Sequence, residues 1–276
     1  MDNQLPPPVI KVVKQAGYVK IHTFISPEAF LANATHIIEG PKELVIIDGQ
    51  FVVPFAMAFR AYADGLGKKI NRVYLSHEHP DHFFGISAAF RDVPVYALQE
   101  TIDFLKEHGE AIRKDRAAVY GGFVPSSLVL PTHVAKPGTE VIDGVTYEVE
   151  VFTDGEVKTQ MGIGLPDLQT YIVQDLVYSG GHIYIHDLKD TVGWIKILEH
   201  LMDSNYSTFL PGHGDVADKK ELKANINYLK KAVKIARESK DFESYKAAIL
   251  AAYPKRIGPA IIDIYGPILF SGHSHS

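Results

Sequence analysis

The segment Val73-Tyr-Leu-Ser-His77-Glu78-His79-Pro80-Asp81-His82 constrains this chain more than any other. Three apolar residues, read as the end of a strand, run into five side chains able to bind metal within six positions, 77–82. Buried as ordinary core, each imidazole and carboxylate would need its own polar partner. Gathered around one or two divalent cations, they satisfy each other, because neutral imidazole and carboxylate suit zinc, iron and related metals. His77 and His79, two apart in extended chain, face the same way. Asp81 and His82 then reach a neighbouring position, and Asp81 is the carboxylate best placed to take a proton from a bound water. The competing reading is a solvated loop rich in histidine. The pattern HxHxDH after a strand favours the metal.

A chain of 276 residues, 46% hydrophobic, can bury a large core. It has no cysteine, which removes disulfides and thiolate ligands, so any metal must sit on nitrogen and oxygen. A net charge of −5, with no Lys/Arg cluster near the motifs, argues against nucleic acid as a partner. No apolar run reaches membrane-spanning length. The first residues lack the basic and apolar regions of a signal peptide, so a soluble, cytoplasmic protein is the expectation. Nothing in the pattern marks a particular oligomeric state.

Short β-rich runs alternate with helical ones. Val9–Val13, Tyr18–Phe24, Thr35–Ile38, Leu44–Ile47, Arg72–Leu75 and Val93–Ala97 read as strands. Phe55–Leu66, Phe84–Phe90 and Glu100–Val119 read as helices. Farther on, Val145–Phe152, Gln169–Val173 and Ser207–Leu210 are expected strands. Thr191–Met202 is an expected helix, with Asp190 as its N-cap and Trp194 on its inner face. From Lys219 the chain is mostly helical, with Leu222, Ile226, Leu229 and Val233 as an apolar stripe under a lysine-rich face. No linker interrupts the chain. The expectation is one domain over 1–276, two packed mixed sheets with helices outside, and 219–276 as a mostly helical C-terminal extension.

With HxHxDH in place, the chain resembles the metallo-β-lactamase superfamily over roughly Thr35 to Gly214. The resemblance implies an αββα sandwich with metal at one edge between the sheets, and hydrolysis of esters, lactones, thioesters, amides or phosphodiesters. A minority of the family are oxidative enzymes using iron. Leu44-Val-Ile-Ile-Asp48-Gly49 resembles the family's first motif, with Asp48 hydrogen-bonding the ligand loop from behind. Phe209-Leu-Pro-Gly-His213-Gly resembles the last, with His213 completing the second metal's set. His77 and His79 are implied ligands of one metal, Asp81 and His82 of the other. Asp175 is the implied bridging carboxylate.

The family's third histidine is missing. It belongs about nineteen residues before the bridging aspartate, where this chain has Glu156, just after Gly155. Asp154 is a second candidate for that ligand, and a site with neither is a third reading. A carboxylate in place of imidazole makes the donor set harder and moves preference from zinc toward manganese or iron. Tyr178 stands where some lactone-hydrolysing relatives carry a tyrosine that stabilises an oxyanion; the plain alternative is one more aromatic on a sheet edge. His182 reads either as a substrate contact or proton carrier, or as a loop residue. His186 reads as structural, and His273 and His275 as part of a tail.

The function expected is metal-dependent hydrolysis of an ester, lactone, thioester or amide of a small molecule by a metal-bound hydroxide. It would use one or two divalent ions, zinc first, with iron or manganese as alternatives. Asp81 is the expected proton acceptor, and Tyr178 and His182 are further catalytic candidates. Two alternatives stand beside it: a single-iron oxidative enzyme of the same fold, and a non-catalytic metal-binding scaffold.

Overall fold

The computed structural model describes residues 5–271. A seven-stranded sheet takes its strands in chain order. They are β1 (Val9–Ala16), β2 (Val19–Ile25), β3 (Ala34–Glu39), β4 (Glu43–Ile47), β5 (Lys69–Tyr74), β6 (Val95–Ala97) and β7 (His133–Val134). The first four pair antiparallel, and from β4 onward the pairing is parallel. Parallel pairing needs crossovers, supplied between β4 and β6 by α1 (Val53–Gly65) and α2 (Pro80–Ala89). The long α3 (Gln99–Tyr120) follows β6.

The second sheet has five strands: β8 (Gly138–Ile142), β9 (Val145–Thr153), β10 (Thr159–Leu165), β11 (Thr170–Tyr178) and β12 (Thr208–His213). β8 to β11 form an antiparallel meander, and β12 joins β11 in parallel. The crossover carries α4 (Thr191–Asp203), and α5 (Lys219–Glu238), α6 (Phe242–Ala252) and α7 (Ala260–Ser271) close the chain.

Strand alternation builds the layers. On β4, Leu44 and Ile46 pack with Phe55, Phe59 and Phe84 under the first helices. The intervening Val45 and Ile47 face the second sheet, meeting Tyr147, Met161, Ile163 and Leu210. On β11, Tyr171 and Val173 turn toward Trp194, Leu198, Ile226 and Leu229. Ile172 turns into the space between the sheets. The result is the expected αββα sandwich. Among the described residues, no helix is long and apolar enough to cross a membrane.

Several boundaries differ from the sequence reading, and two matter for the site. Helix α2 begins at Pro80 rather than Phe84, with proline in its first turn, where a missing N–H costs nothing. β11 runs through to Tyr178 instead of stopping at Val173. It does so past Gln174, whose φ of +42° accompanies a register shift against β12. Asp175 therefore lies within a strand rather than after one. Asp190 holds the N-cap position of α4 but makes no capping bond with its side chain; Thr191 Oγ1 donates to the Leu188 carbonyl there instead. Trp194 does face inward, its indole N–H donating to the Leu176 carbonyl at 2.9 Å.

Candidate metal centre

Three strand ends, the later part of β11 and one helix start deliver the polar cluster to one end of the sandwich. β5 ends at Tyr74, so Ser76 to His79 emerge just past the sheet, and Asp81 and His82 ride the first turn of α2. The connection after β9 carries Glu156, β11 carries Asp175 and β12 ends on His213. Met161 N–H, donating to the Ser76 carbonyl at 3.0 Å, ties the β9–β10 segment to the histidine loop.

Two groups of donors result, each with its ligand atoms within 4.8 Å of one another. His77, His79, Glu156 and Asp175 form the first, and Asp81, His82, Asp175 and His213 the second. Asp175 belongs to both. Glu78 belongs to neither.

Each imidazole of these groups but His79 is held by its outward nitrogen. His82 Nδ1 donates to Asp48 Oδ2 at 2.8 Å, and His213 Nδ1 to the Leu31 carbonyl at 2.9 Å. His77 Nδ1 lies 2.9 Å from Ser76 Oγ, which in turn donates to Asp48 Oδ2 at 2.6 Å. These bonds place a proton on each Nδ1 and turn the Nε2 atoms of His77, His82 and His213 inward, that of His213 lying 3.1 Å from Asp175 Oδ2. His79 turns the other nitrogen in, with Nδ1 3.1 Å from Glu156 Oε1.

The inward atoms fit a cation. His77 Nε2, His82 Nε2, both Glu156 oxygens and Asp175 Oδ1 are buried, with no hydrogen-bond partner among the described residues. His82 Nε2 lies 3.2 Å from Asp175 Oδ1, and His77 Nε2 3.7 Å from Glu156 Oε2. Neither contact has hydrogen-bond geometry, so lone pairs converge there without a shared proton. Buried polar atoms in this state are costly, and a divalent ion satisfies them together. Gly212 is required beside them, since a Cβ at that position would collide with Asp175 Oδ1.

Charge organises the same groups. Burial alone would raise the Asp81 and Asp175 carboxyls, but the His82 and His213 imidazoles hold both well below the usual carboxylate range. Burial pushes Glu156 up to about 7, with Asp175 and Asp81 adding to the rise against the pull of His79. His213 rises to about 10, because Asp175 and Asp81 outweigh its burial. A cation among these donors would take the place of their protons.

The metallo-beta-lactamase superfamily model matches residues 29–213, which include both donor groups. The chain belongs to this superfamily. Its members are typically metal-dependent hydrolases holding one or two zinc ions, and the two donor groups are candidates for such ions. The "Beta-lactamase-like protein 2 homolog" of Caenorhabditis elegans is 22% identical over 207 residues, 72% of this chain and 61% of that protein. The chain therefore spans about three fifths of that relative's length. A metallo-beta-lactamase from Pontibacter korlensis has a TM-score of 0.61 at 19% identity, over 80% of this chain and 99% of that one. The metallo-beta-lactamase FIM-1 of Pseudomonas aeruginosa, in its mono-zinc form, scores 0.60 at 17% identity, over 83% and 97%. At such identities the likeness is one of fold.

Within this superfamily frame, the residues singled out from sequence separate clearly. Glu156 enters the first donor group, whereas Asp154 is exposed and outside it. Asp48 sits fully buried behind the histidines and accepts from Ser76 N–H, Ser76 Oγ, His82 Nδ1 and Gln174 Nε2. Its φ of +59° is a conformation aspartate tolerates. Tyr178 lines the cavity over the donors. Its hydroxyl donates to Asp175 Oδ2 at 3.1 Å, and its ring stacks on His213 at 4.7 Å.

His182 does not reach that cavity. Its Nδ1 is 3.0 Å from the hydroxyl of Tyr228 on α5, and it lines a smaller, water-sized pocket that shares Tyr178 and His213 with the cavity. His186 is exposed, and His273 and His275 lie outside the described residues. Ser76, Gln174 and the Leu31 carbonyl escaped the sequence reading. Each acts through a hydrogen bond whose partner lies elsewhere in the chain, although a strand-end serine beside HxHxDH could have signalled Ser76.

Proposed function

We propose that this protein is a metal-dependent hydrolase acting on an ester, lactone, thioester or amide of a small molecule. The observation that supports this most is the pair of donor groups sharing Asp175 at the floor of a cavity of about 310 Å³. Phe30, Phe51, Tyr120, Tyr184, Ile261 and Ile264 make most of the cavity wall apolar, suited to the body of a small ligand.

His77, His79, Glu156 and Asp175 would hold one ion, and Asp81, His82, Asp175 and His213 a second. Bound metal supplies a water acidified toward neutrality and a Lewis acid for the carbonyl oxygen. Asp81, on the cavity wall and ionised at neutral pH, orients the attacking water and accepts its proton. The Tyr178 phenol is driven well above its ordinary range by burial and by Asp175, so it stays protonated and can donate to a developing oxyanion. The apolar wall keeps bulk water from the reacting bond.

Zinc is the first choice of metal. Glu156 supports a second reading: His77, His79 and Glu156 make a two-histidine, one-carboxylate set of the kind that holds non-haem iron, and with it an oxidative reaction on a single ion.

Elemental analysis of the purified protein, followed by a panel of lactones, thioesters and β-lactams, tests the proposal. One or two equivalents of metal with chelator-sensitive hydrolysis is the expected result. Iron with oxygen uptake and no hydrolysis would replace it by the second reading. Bound metal with no turnover on any substrate, and no oxygen uptake, would leave a metal-binding scaffold.

A further inference from the structure

Among the residues lining the cavity, Arg116 is the sole lysine or arginine. It projects from the last two turns of α3 and makes no hydrogen bond or ion pair with any described residue. Five other arginines are tied down, among them Arg91 on Ser127, whereas Arg237 lies exposed on α5, away from the cavity. Arg113, one turn earlier, is paired to Glu110 at 2.6 Å. Arg60 is paired to Asp92 at 2.6 Å and Arg72 to Glu140 at 2.8 Å. Arg256 is held by Glu221 at 3.2 Å.

The surroundings give an unpaired guanidinium here a purpose. Asp81, Glu156 and Asp175 bring three carboxylates to the cavity floor, and the walls are mostly apolar. Tyr184 lines the same cavity. Its ring meets His79 edge-on at 5.4 Å. Its hydroxyl feels both ends of the cavity: burial and Glu156 push the phenol up to about 12, while the Arg116 charge pulls the other way. The cavity thus brings together buried metal donors, an aromatic and aliphatic wall, and one exposed guanidinium that makes no ion pair. A guanidinium offers a planar fork of donors that matches a carboxylate with two parallel hydrogen bonds.

We propose that Arg116 selects the substrate: an amphiphilic acid, with its scissile carbonyl at the donor cluster, an apolar body along the wall and a free carboxylate on Arg116. This rests on the hydrolase reading for the position of the scissile bond, but the carboxylate site itself stands without turnover.

The test uses metal-loaded, full-length protein and two matched probe pairs. Monobenzyl adipate and benzyl adipamate differ in carboxylate against carboxamide and carry a cleavable ester. Benzyloxyhexanoate and benzyloxyhexanamide differ in the same way and cannot be hydrolysed. For the wild type, kcat/KM should favour the adipate over the adipamate by about tenfold, the worth of a charge-assisted hydrogen bond. Calorimetry should show the same preference for the hexanoate. In Arg116→Gln both ratios should fall toward one. In Arg116→Glu the preference should invert toward the benzyl ester of aminocaproic acid, a gain that misfolding cannot mimic. A carboxylate preference unchanged in Arg116→Gln, or missing from the wild type, overturns the proposal. If neither ester is cleaved while the ether pair keeps its Arg116-dependent ratio, the hydrolase reading fails and the carboxylate site stands.

Discussion

The Asp48 carboxylate lies 2.8 Å behind His82 Nδ1, and the same Oδ2 atom accepts from Ser76 Oγ, which in turn meets His77 Nδ1. One buried acid thus sets the tautomer of an imidazole in each donor group. It also braces β4, the β5 exit, α2 and β11, because Gln174 donates to it as well.

Asp48→Asn tests that arrangement. Asparagine tolerates the positive φ of this position, so the backbone strain that alanine would add is avoided. Its amide can accept on one side only, which leaves either His82 or Ser76 facing a donor. Metal affinity should fall about 10- to 100-fold, as for other partners of ligating histidines. Competition against a chelator measures it. Wild-type affinity in this variant would mean that the histidines are oriented by packing alone.

Glu156→His tests the altered donor. Replacing this carboxylate by imidazole removes one negative charge from the first group and softens it. The ratio of zinc to manganese affinity should rise by roughly tenfold. Glu156→Gln, which keeps the shape and drops the charge, should weaken both metals. Equilibrium dialysis against mixed metals reads both variants. A ratio equal to that of wild type in Glu156→His would exclude Glu156 from metal binding.

How far this centre could be read from sequence depends on where its information lies. HxHxDH, Asp48 and His213 each follow an apolar run that is a strand in the structure, so a local pattern carries the position. Glu156 was reachable because its distance from Asp175 along the chain is set by the β9–β10–β11 meander. β10 itself went unread. Its Gly162 and Gly164 look like a loop, yet the rings of Phe152, Tyr171 and Tyr206 fill the space beside them, and those aromatics come from neighbouring strands and from beyond α4. His182 follows a Gly-Gly turn that could open into the cavity. What turns it away is Tyr228 on α5, forty-six residues later.

His36 gives the protein an acid-sensitive point outside the donor groups. It is fully buried between Thr23 Oγ1 at 3.0 Å and the Pro211 carbonyl at 3.0 Å, and burial drives its imidazole from 6.5 down to about 4. As a histidine with a depressed folded pKa, it stays neutral in the native state while the unfolded chain takes up a proton below pH 6.5. Its stabilising contribution is complete above that pH and is lost as pH falls toward 4. Between pH 7.5 and 5 the loss should be about 2 kcal/mol. His36→Gln should start less stable, because one hydrogen bond goes, but decline less over the same range. Denaturant unfolding of both proteins at the two pH values measures the difference, and the contributions they share cancel. Parallel declines would remove His36 as the cause.

Asp81 and Tyr178 divide the proposed chemistry between a proton acceptor and a proton donor, and paired variants separate these roles from metal holding. Asp81→Asn should lower kcat by about 10²- to 10⁴-fold, the usual worth of a positioned general base. Its metal content should change far less, since His82, His213 and Asp175 remain in the second group. Tyr178→Phe is the finer test. The hydroxyl donates to Asp175 at 3.1 Å, so it could act on the reaction or only on the shared carboxylate. If it donates to the oxyanion, the fully loaded variant should lose about 10²- to 10³-fold in kcat. If it only steadies Asp175, the loss should appear as weaker metal binding, and excess metal should restore turnover. Measuring kcat at saturating metal, alongside metal stoichiometry, decides between these outcomes. Full rescue by metal would remove Tyr178 from the reaction and leave Asp81 as the one protein group that moves a proton.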